Sequence, residues 1–259
     1  MAWVTVPGSN NIWEYENTAT SSDTYPDAAG TYSGGIRTYT KPGTSDTVTV
    51  YARTRIRGEI NQYTVSEEFN NTVHWTASGT TITANSTADP NGDITADTIS
   101  ENIGSSKHEL YQLTNLVSGT QYTMSVFAKT NGRHLQLQPA GGIAGSTNFA
   151  NFNLTTGTLG TVGAAADNAT IKDYGNGWFR CSITMTSTVT SYTAIGILLI
   201  ENDTDARGYA YSGDGTSGIF VWGAMLSEGA IVKRYIKTTN LASTTIERGE
   251  LSKTYYDAQ

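Results

Sequence analysis

The feature that most limits what this chain can become is its punctuation. Asn91-Gly92-Asp93, Ser118-Gly119, Asn131-Gly132, Asn176-Gly177 and Gly213-Asp214-Gly215 cut its middle into short runs. Asn and Gly tolerate left-handed backbone, so such sites reverse the chain at little steric cost. Within the runs, apolar residues fall on alternate positions, and alternate residues of an extended chain point to opposite faces. In Gln121–Thr130, Tyr122, Met124, Val126 and Ala128 share one face and Phe127 lies on the other. The same reading predicts strands at Thr72–Ser78, Thr80–Asn85, Glu109–Leu113, His134–Pro139, Asn148–Asn153, Ala169–Lys172, Trp178–Thr188 and Tyr192–Glu201. Gly218–Leu226 is apolar on both faces, as a central strand covered on both sides would be. No run carries the period of an amphipathic helix of normal length. The expectation is an all-β fold, a β-sandwich or jelly roll.

Composition excludes several functions. Charged residues make up 15% of the chain, so Thr, Ser, Asn and Gly carry much of its contact with water. The net charge is −7 and no basic cluster is visible, which argues against nucleic acid and against anionic membranes as partners. No apolar run is long enough to insert across a bilayer. The single cysteine, Cys181, has no internal disulfide partner and no thiol cluster for zinc, and is expected in the core. The N-terminus lacks a basic segment followed by an apolar one, so the expectation is assembly in a host cytoplasm without signal-peptide export.

The organisation is read from an internal echo. Arg57-Gly58-Glu59-Ile60 recurs as Arg248-Gly249-Glu250-Leu251, each copy soon followed by Tyr. This predicts one small β-rich attachment domain, 1–62 completed by 241–259, around an inserted or following jelly roll at 63–240. A long strand, Thr47–Arg57, carries Tyr51, Arg53, Arg55 and Arg57 on alternate positions. That row either docks on an acidic neighbour or forms an ordinary solvated face.

The middle segment resembles the jelly-roll modules of carbohydrate-binding type found in phage structural proteins. Its blocks, in order, are Trp75-Thr76, the Ala88–Asp97 stretch, His108 before Tyr111, Gly119–Lys129, Asp173–Cys181 and Tyr211–Gly229. The flanks, with their WEY, GIRTYTKPGT and RGELSKTYYDAQ segments, resemble short domains that recur in structural proteins of marine tailed phages. The resemblance implies a place on the exterior of a virion, as a capsid decoration, tail or fibre component. Modules of this kind serve in glycan binding or as trimerisation, capping or decoration units, so the expected partners are other phage virion proteins and further copies of the chain, such as in trimers, with weak adhesion to host-surface glycans as the second reading. Many calcium-binding relatives carry acidic residues on the last core strand, where this chain has Val221-Trp222-Gly223.

Candidate sites follow from residue types. Tyr111, Phe127, Arg133 and His134 are candidates for a glycan face, with a second packed layer or a subunit interface as the alternative. Asp89, Asn91 and Asp93 alternate in a Gly-containing loop. They either begin a structural calcium site or form a turn bonded to its own backbone. Trp178 and Trp222, between apolar neighbours, are expected in the core. His74, His108 and His134 show no metal-ligand spacing, and no nucleophile elbow, P-loop or dinucleotide fingerprint is present. The expectation is therefore a non-enzymatic structural protein. The alternatives are a polysaccharide-degrading tail enzyme, with Glu67, Glu68, Asp203 and Asp205 as the obvious acids, or a pure assembly and trimerisation module.

Overall fold

The chain divides into two compact units, Met1–Gly58 with Ile246–Gln259, and Glu59–Thr245. The computed structural model describes residues 61–140 and 145–239, and in the smaller unit the backbone of four strands. There, β1 (Ala2–Thr5) pairs antiparallel with β2 (Trp13–Glu16), and β3 (Ile36–Thr40) with β4 (Thr47–Tyr51). β4 takes up the start of the strand expected over Thr47–Arg57. Arg53, Arg55, Arg57, the side chain of Tyr51 and both copies of the Arg-Gly-Glu echo lie outside the described residues.

The larger unit is an all-β jelly-roll sandwich. Its strands are β5 (Trp75–Ser78), β6 (Thr80–Ala88), β7 (Ile94–Glu101), β8 (Gly104–Ser106), β9 (His108–Leu116), β10 (Gln121–Asn131), β11 (His134–Pro139), β12 (Ala150–Asn153), β13 (Thr158–Val162), β14 (Asn168–Gly175), β15 (Trp178–Thr186), β16 (Ser191–Ile200), β17 (Tyr211–Gly213) and β18 (Gly218–Glu228). One six-stranded sheet runs β14-β15-β10-β18-β7-β6 and the other β13-β12-β11-β16-β9-β5, while β8 and β17 form a short pair.

Alternation decides what lies between the sheets. Tyr122, Met124, Val126 and Ala128 of β10 and Cys181, Ile183 and Met185 of β15 meet Leu135 and Leu137 of β11 and Ile195, Ile197 and Leu199 of β16. All are buried. β18 breaks its own alternation at Gly223, whose φ of 59° is costly for a residue with a Cβ. The bulge lets Ile219 and Val221 before it and Ala224 and Leu226 after it all face the core. A Cβ at Gly223 would also lie 3.1 Å from the Phe127 ring and 3.2 Å from Tyr235.

Patterning did not find β7, β8, β13 or β17. β7 reads ITADTISE, with polar residues at most positions, and yet Asp97 and Glu101 are buried in it. Asp97 is held by backbone donors: Phe69 N–H at 2.9 Å and Asn85 N–H at 2.8 Å. It thereby ties the segment before β5 to β6.

The ends of the larger unit are stitched together. Asn61 donates to Ala224 O and Ile236 O and accepts from Tyr63 N and Leu226 N. Ser66 N donates to Thr238 O, and Thr238 Oγ1 to Tyr63 O. Asn61 and Gln62 therefore belong to the sandwich, slightly before the boundary expected at 62/63. The chain enters and leaves this unit at neighbouring points, the geometry an insertion requires.

Asp97→Ala removes a charged acceptor from two buried N–H groups and is expected to cost about 3 kcal/mol of unfolding free energy. Urea denaturation measures this. A midpoint equal to wild type would show that the carboxylate does not hold the segment.

Candidate functional site

The outward face of the β11-β16-β9 strip is where alternation leaves side chains free for other work. The ladder registers place Gln138 beside Gly196 and Gly196 beside Tyr111, forming one row across three strands. Leu198 with Glu109 forms the next row on one side, and Ala194 with Leu113 the next on the other. The first row, with Glu109 and Ala194 from its two neighbours, floors a cleft of about 310 Å³. Its lining is Lys107, Glu109, Tyr111, Gln138, Ala140, Ala194, Gly196 and Arg207. That volume lies at the small end of ligand sites, which run from about 300 to 1,000 Å³.

Gly196 is not a glycine that the backbone demands. Its φ is ordinary, and an added Cβ would meet only van der Waals contacts, 3.5 Å from Leu198 and from Tyr111. Glycine inside a strand costs roughly 0.5–1 kcal/mol relative to alanine, and where packing does not require it, it marks close approach by something else. Gln138 points to the same place. It is 7% exposed, and its Oε1 is buried without a hydrogen-bond partner among the described residues. A buried acceptor left open costs about 1–3 kcal/mol unless a ligand or water fills it.

One wall is the loop between β16 and β17, held down by a polar pair on the sheet. Gln136 Nε2 donates to Asn151 Oδ1 and Ala206 O, and Gln136 Oε1 accepts from Gly208 N at 2.6 Å. Asn151 Nδ2 donates to Asp203 O and Asp205 O. Both side chains are fully buried. The loop so anchored carries Arg207 to the cleft, where its guanidinium donates to Pro139 O and Asn148 O. Burial pushes the Arg207 pKa down, while Glu109 opposes this through space.

The structure separates the four residues expected to share a glycan face. Tyr111 lies in the cleft. Phe127 does point away from the core, but on the other sheet, and it is 4% exposed. Tyr174, Trp222 and Tyr235 close over its ring at centroid distances of 4.9, 5.3 and 6.1 Å. With Trp178 they make a second packed layer, so both tryptophans are buried outside the main core. Arg133 grips Glu101 with two hydrogen bonds of 2.7 Å, and Glu101 also accepts from Tyr211 Oη and Asp214 N. His134 Nδ1 accepts from Leu154 N at 3.2 Å, and burial lowers its pKa.

The Asp89 loop is a self-bonded turn. Asp89 Oδ1 accepts from the N–H groups of Asn91, Gly92 and Asp93, and Oδ2 from Thr95 Oγ1. With both carboxylate oxygens engaged, the expected calcium ligand is occupied by its own backbone, and no group of three metal-binding side chains occurs among the described residues. The other acids are likewise structural in their contacts. Glu67 bonds Tyr235 Oη and Lys237, Asp205 caps its own turn, and Asp203 accepts from Asn153.

No protein-family model and no curated protein matches the sequence. Solved structures give distant likenesses. The enzymatically active domain of bacteriophage CBA120 tailspike protein 4 is 15% identical over 65% of this chain, with a TM-score of 0.37. The Clostridium thermocellum xylanase 10B modules CBM22-1 and GH10, complexed with xylohexaose, are 16% identical over 68%, also at 0.37. The carbohydrate-binding module CBM6cm-2 of Cellvibrio mixtus lichenase 5A, complexed with cellotriose, is 13% identical over 66%, at 0.33. The chain spans 21% and 29% of the first two and all of the third. TM-scores this low leave the functional reading to the side chains of the cleft.

Gln136→Ala is expected to free the loop by about 2–3 kcal/mol of local opening, since three hydrogen bonds go with it. Hydrogen exchange should show the Gly208 amide accelerated while the amides of β10 keep wild-type protection. Equal protection at Gly208 would reject the anchor. Acid should act at the other corner. His134 with a lowered pKa adds stability that is fully present above the ordinary value of 6.5 and lost as pH falls through the folded value. Faster exchange of the Leu154 amide below that pH is the expected reading, and a pH-independent rate would count against it.

Proposed function

We propose that this protein is a non-catalytic carbohydrate-recognition protein whose sandwich binds a saccharide in the Gln138–Gly196–Tyr111 cleft. The observation that carries the reading is the unfilled row itself: a bare glycine floor, a buried amide oxygen with no partner and a half-buried phenol side by side. Saccharides offer what such a row lacks. Their hydroxyls donate to an amide or carboxylate oxygen, and their C–H faces pack on an aromatic ring and on small floors. Glu109 and Arg207 supply an acceptor and a donor at the edges, which suits vicinal hydroxyls.

The absence of catalysis is part of the proposal. Glycoside hydrolysis ordinarily uses two carboxyl groups at a set separation across the bond. Glu109 is the one carboxylate lining the cleft among the described residues. We extend the proposal to an exterior position on a phage particle, with the smaller unit attaching to other virion proteins and the sandwich displayed for adhesion. The flanking segments and their resemblance to phage structural domains support that part. Copies repeated over a particle would turn weak single sites into useful avidity.

Gly196→Leu fills the cleft from its floor, and Tyr111→Ala removes its wall. Each is expected to abolish glycan-array binding of the full chain displayed multivalently, with thermal midpoints close to wild type. Phe127→Ala, in the layer on the opposite sheet, is expected to lower stability while binding at permissive temperature survives. Binding that survives Gly196→Leu would remove the cleft from consideration.

A further inference from the structure

Resting on that reading of the cleft, we propose that its ligand is anionic: a sugar unit bearing a carboxylate or sulfate ester with a free hydroxyl beside it. The charges of the lining do not balance. Lys107 and Arg207 face one carboxylate, Glu109, and neither cation forms an ion pair within 4.0 Å among the described residues. Among the described residues, the hydrogen-bond partners of Arg207 are the carbonyl oxygens of Pro139 and Asn148, which do not neutralise its charge. A partly buried cation whose nearby carboxylate stays beyond ion-pair distance, beside a second cation, is a situation that a bound anion relieves.

The arrangement also says what should stand next to the anion. Lys107 Nζ and Gln138 Oε1 converge on Gly208, at 3.2 and 3.4 Å from where its Cβ would sit. One is a cationic donor and the other a buried acceptor without a partner. A ligand that matches both presents a negative oxygen and a hydroxyl proton a few ångströms apart. A uronic acid does so, as does a sialic acid or a sulfated sugar with a neighbouring hydroxyl. A neutral sugar fills the Gln138 acceptor and leaves Lys107 unmatched. The match is local: the chain as a whole carries −7, so its overall field repels anions and recognition must come from short range.

The test is a panel of oligosaccharides against the full chain, in uronate, methyl-esterified uronate, sialylated, sulfated and neutral forms. Uronate, sialylated or sulfated members are expected to bind at least about tenfold more tightly than the ester or neutral members, a difference of about 1.4 kcal/mol. Added salt should weaken this preference. Lys107→Gln should bring the affinity for the uronate, sialylated and sulfated members down to that for the neutral members. The carboxylated and sulfated arms distinguish the two anions. Equal binding of the uronate and its methyl ester, or binding by neutral members alone, would overturn the anionic ligand and leave the saccharide cleft standing. Binding by no member, with wild type and Gly196→Leu alike, would overturn both.

Discussion

The cleft depends on the pairing of Gln136 with Asn151. Both are amides buried on the outer face of a sheet, where an unpaired polar group is costly, and together they bind four backbone groups of the β16–β17 loop. A loop with Glu201, Asn202, Asp203, Asp205 and Arg207 has little apolar surface with which to hold itself down. The amides substitute for that surface. They turn a mobile kind of segment into a wall whose position is set by the sheet beneath, and they do so one row from Gln138, whose own oxygen is left open.

The two sheets solve the problem of their outer faces differently. The β14-β15-β10-β18-β7-β6 sheet closes its face with aromatics, Phe127, Trp178 and Trp222, and with Tyr235 from the C-terminal segment. Tyr235 Oη is bound to Ser66 and Glu67, so the segment that covers the aromatic layer also fastens the two ends of the unit. The opposite sheet closes part of its face with a polar loop and leaves the rest as the cleft. Aromatic closure yields a stable but inert layer. Polar closure leaves hydrogen-bonding capacity facing outward, which recognition of a hydrated ligand requires.

This contrast explains what could be read from the sequence and what could not. Alternation in Gln121–Thr130 gave the core side of β10 correctly, and His134–Pro139 coincides with β11. The same alternation placed Phe127 on the outer side, which is true, but an outward aromatic is exposed only if nothing covers it. Tyr174, Trp222 and Tyr235 come from distant parts of the chain, and no local pattern announces them. Of the four residues expected on a glycan face, Tyr111 is the one that lines the cleft. The other residues that line the cleft sit on β9, β11, β16 and a loop, and strand register is not written in any one of them. Two signals were present: Gln136 and Gln138 alternate with Leu135 and Leu137, and Gly196 interrupts the otherwise apolar AIGILLI run. β7 was missed for a related reason, since the burial of Asp97 is made tolerable by donors from Phe69 and Asn85 that lie outside its strand.

Polarity along β9 gives the outer face a direction. Lys107 just before the strand, then Glu109, Tyr111 and Leu113 on one side of it at steps of about 6.8 Å, follow one another. Across the ladder, Leu198, Gly196, Ala194 and Tyr192 accompany them on β16. Leu113 and Tyr192 are exposed, 42% and 63%, just past the cleft. The face thus runs from charged side chains, over a bare glycine floor, to an apolar end with an aromatic ring. A ligand of one sugar engages only the first part. A chain laid along the strands meets charge, then hydrogen-bonding groups, then a hydrophobic surface, so the order of units in the ligand, and not only their kind, is constrained by the order of residues in two strands.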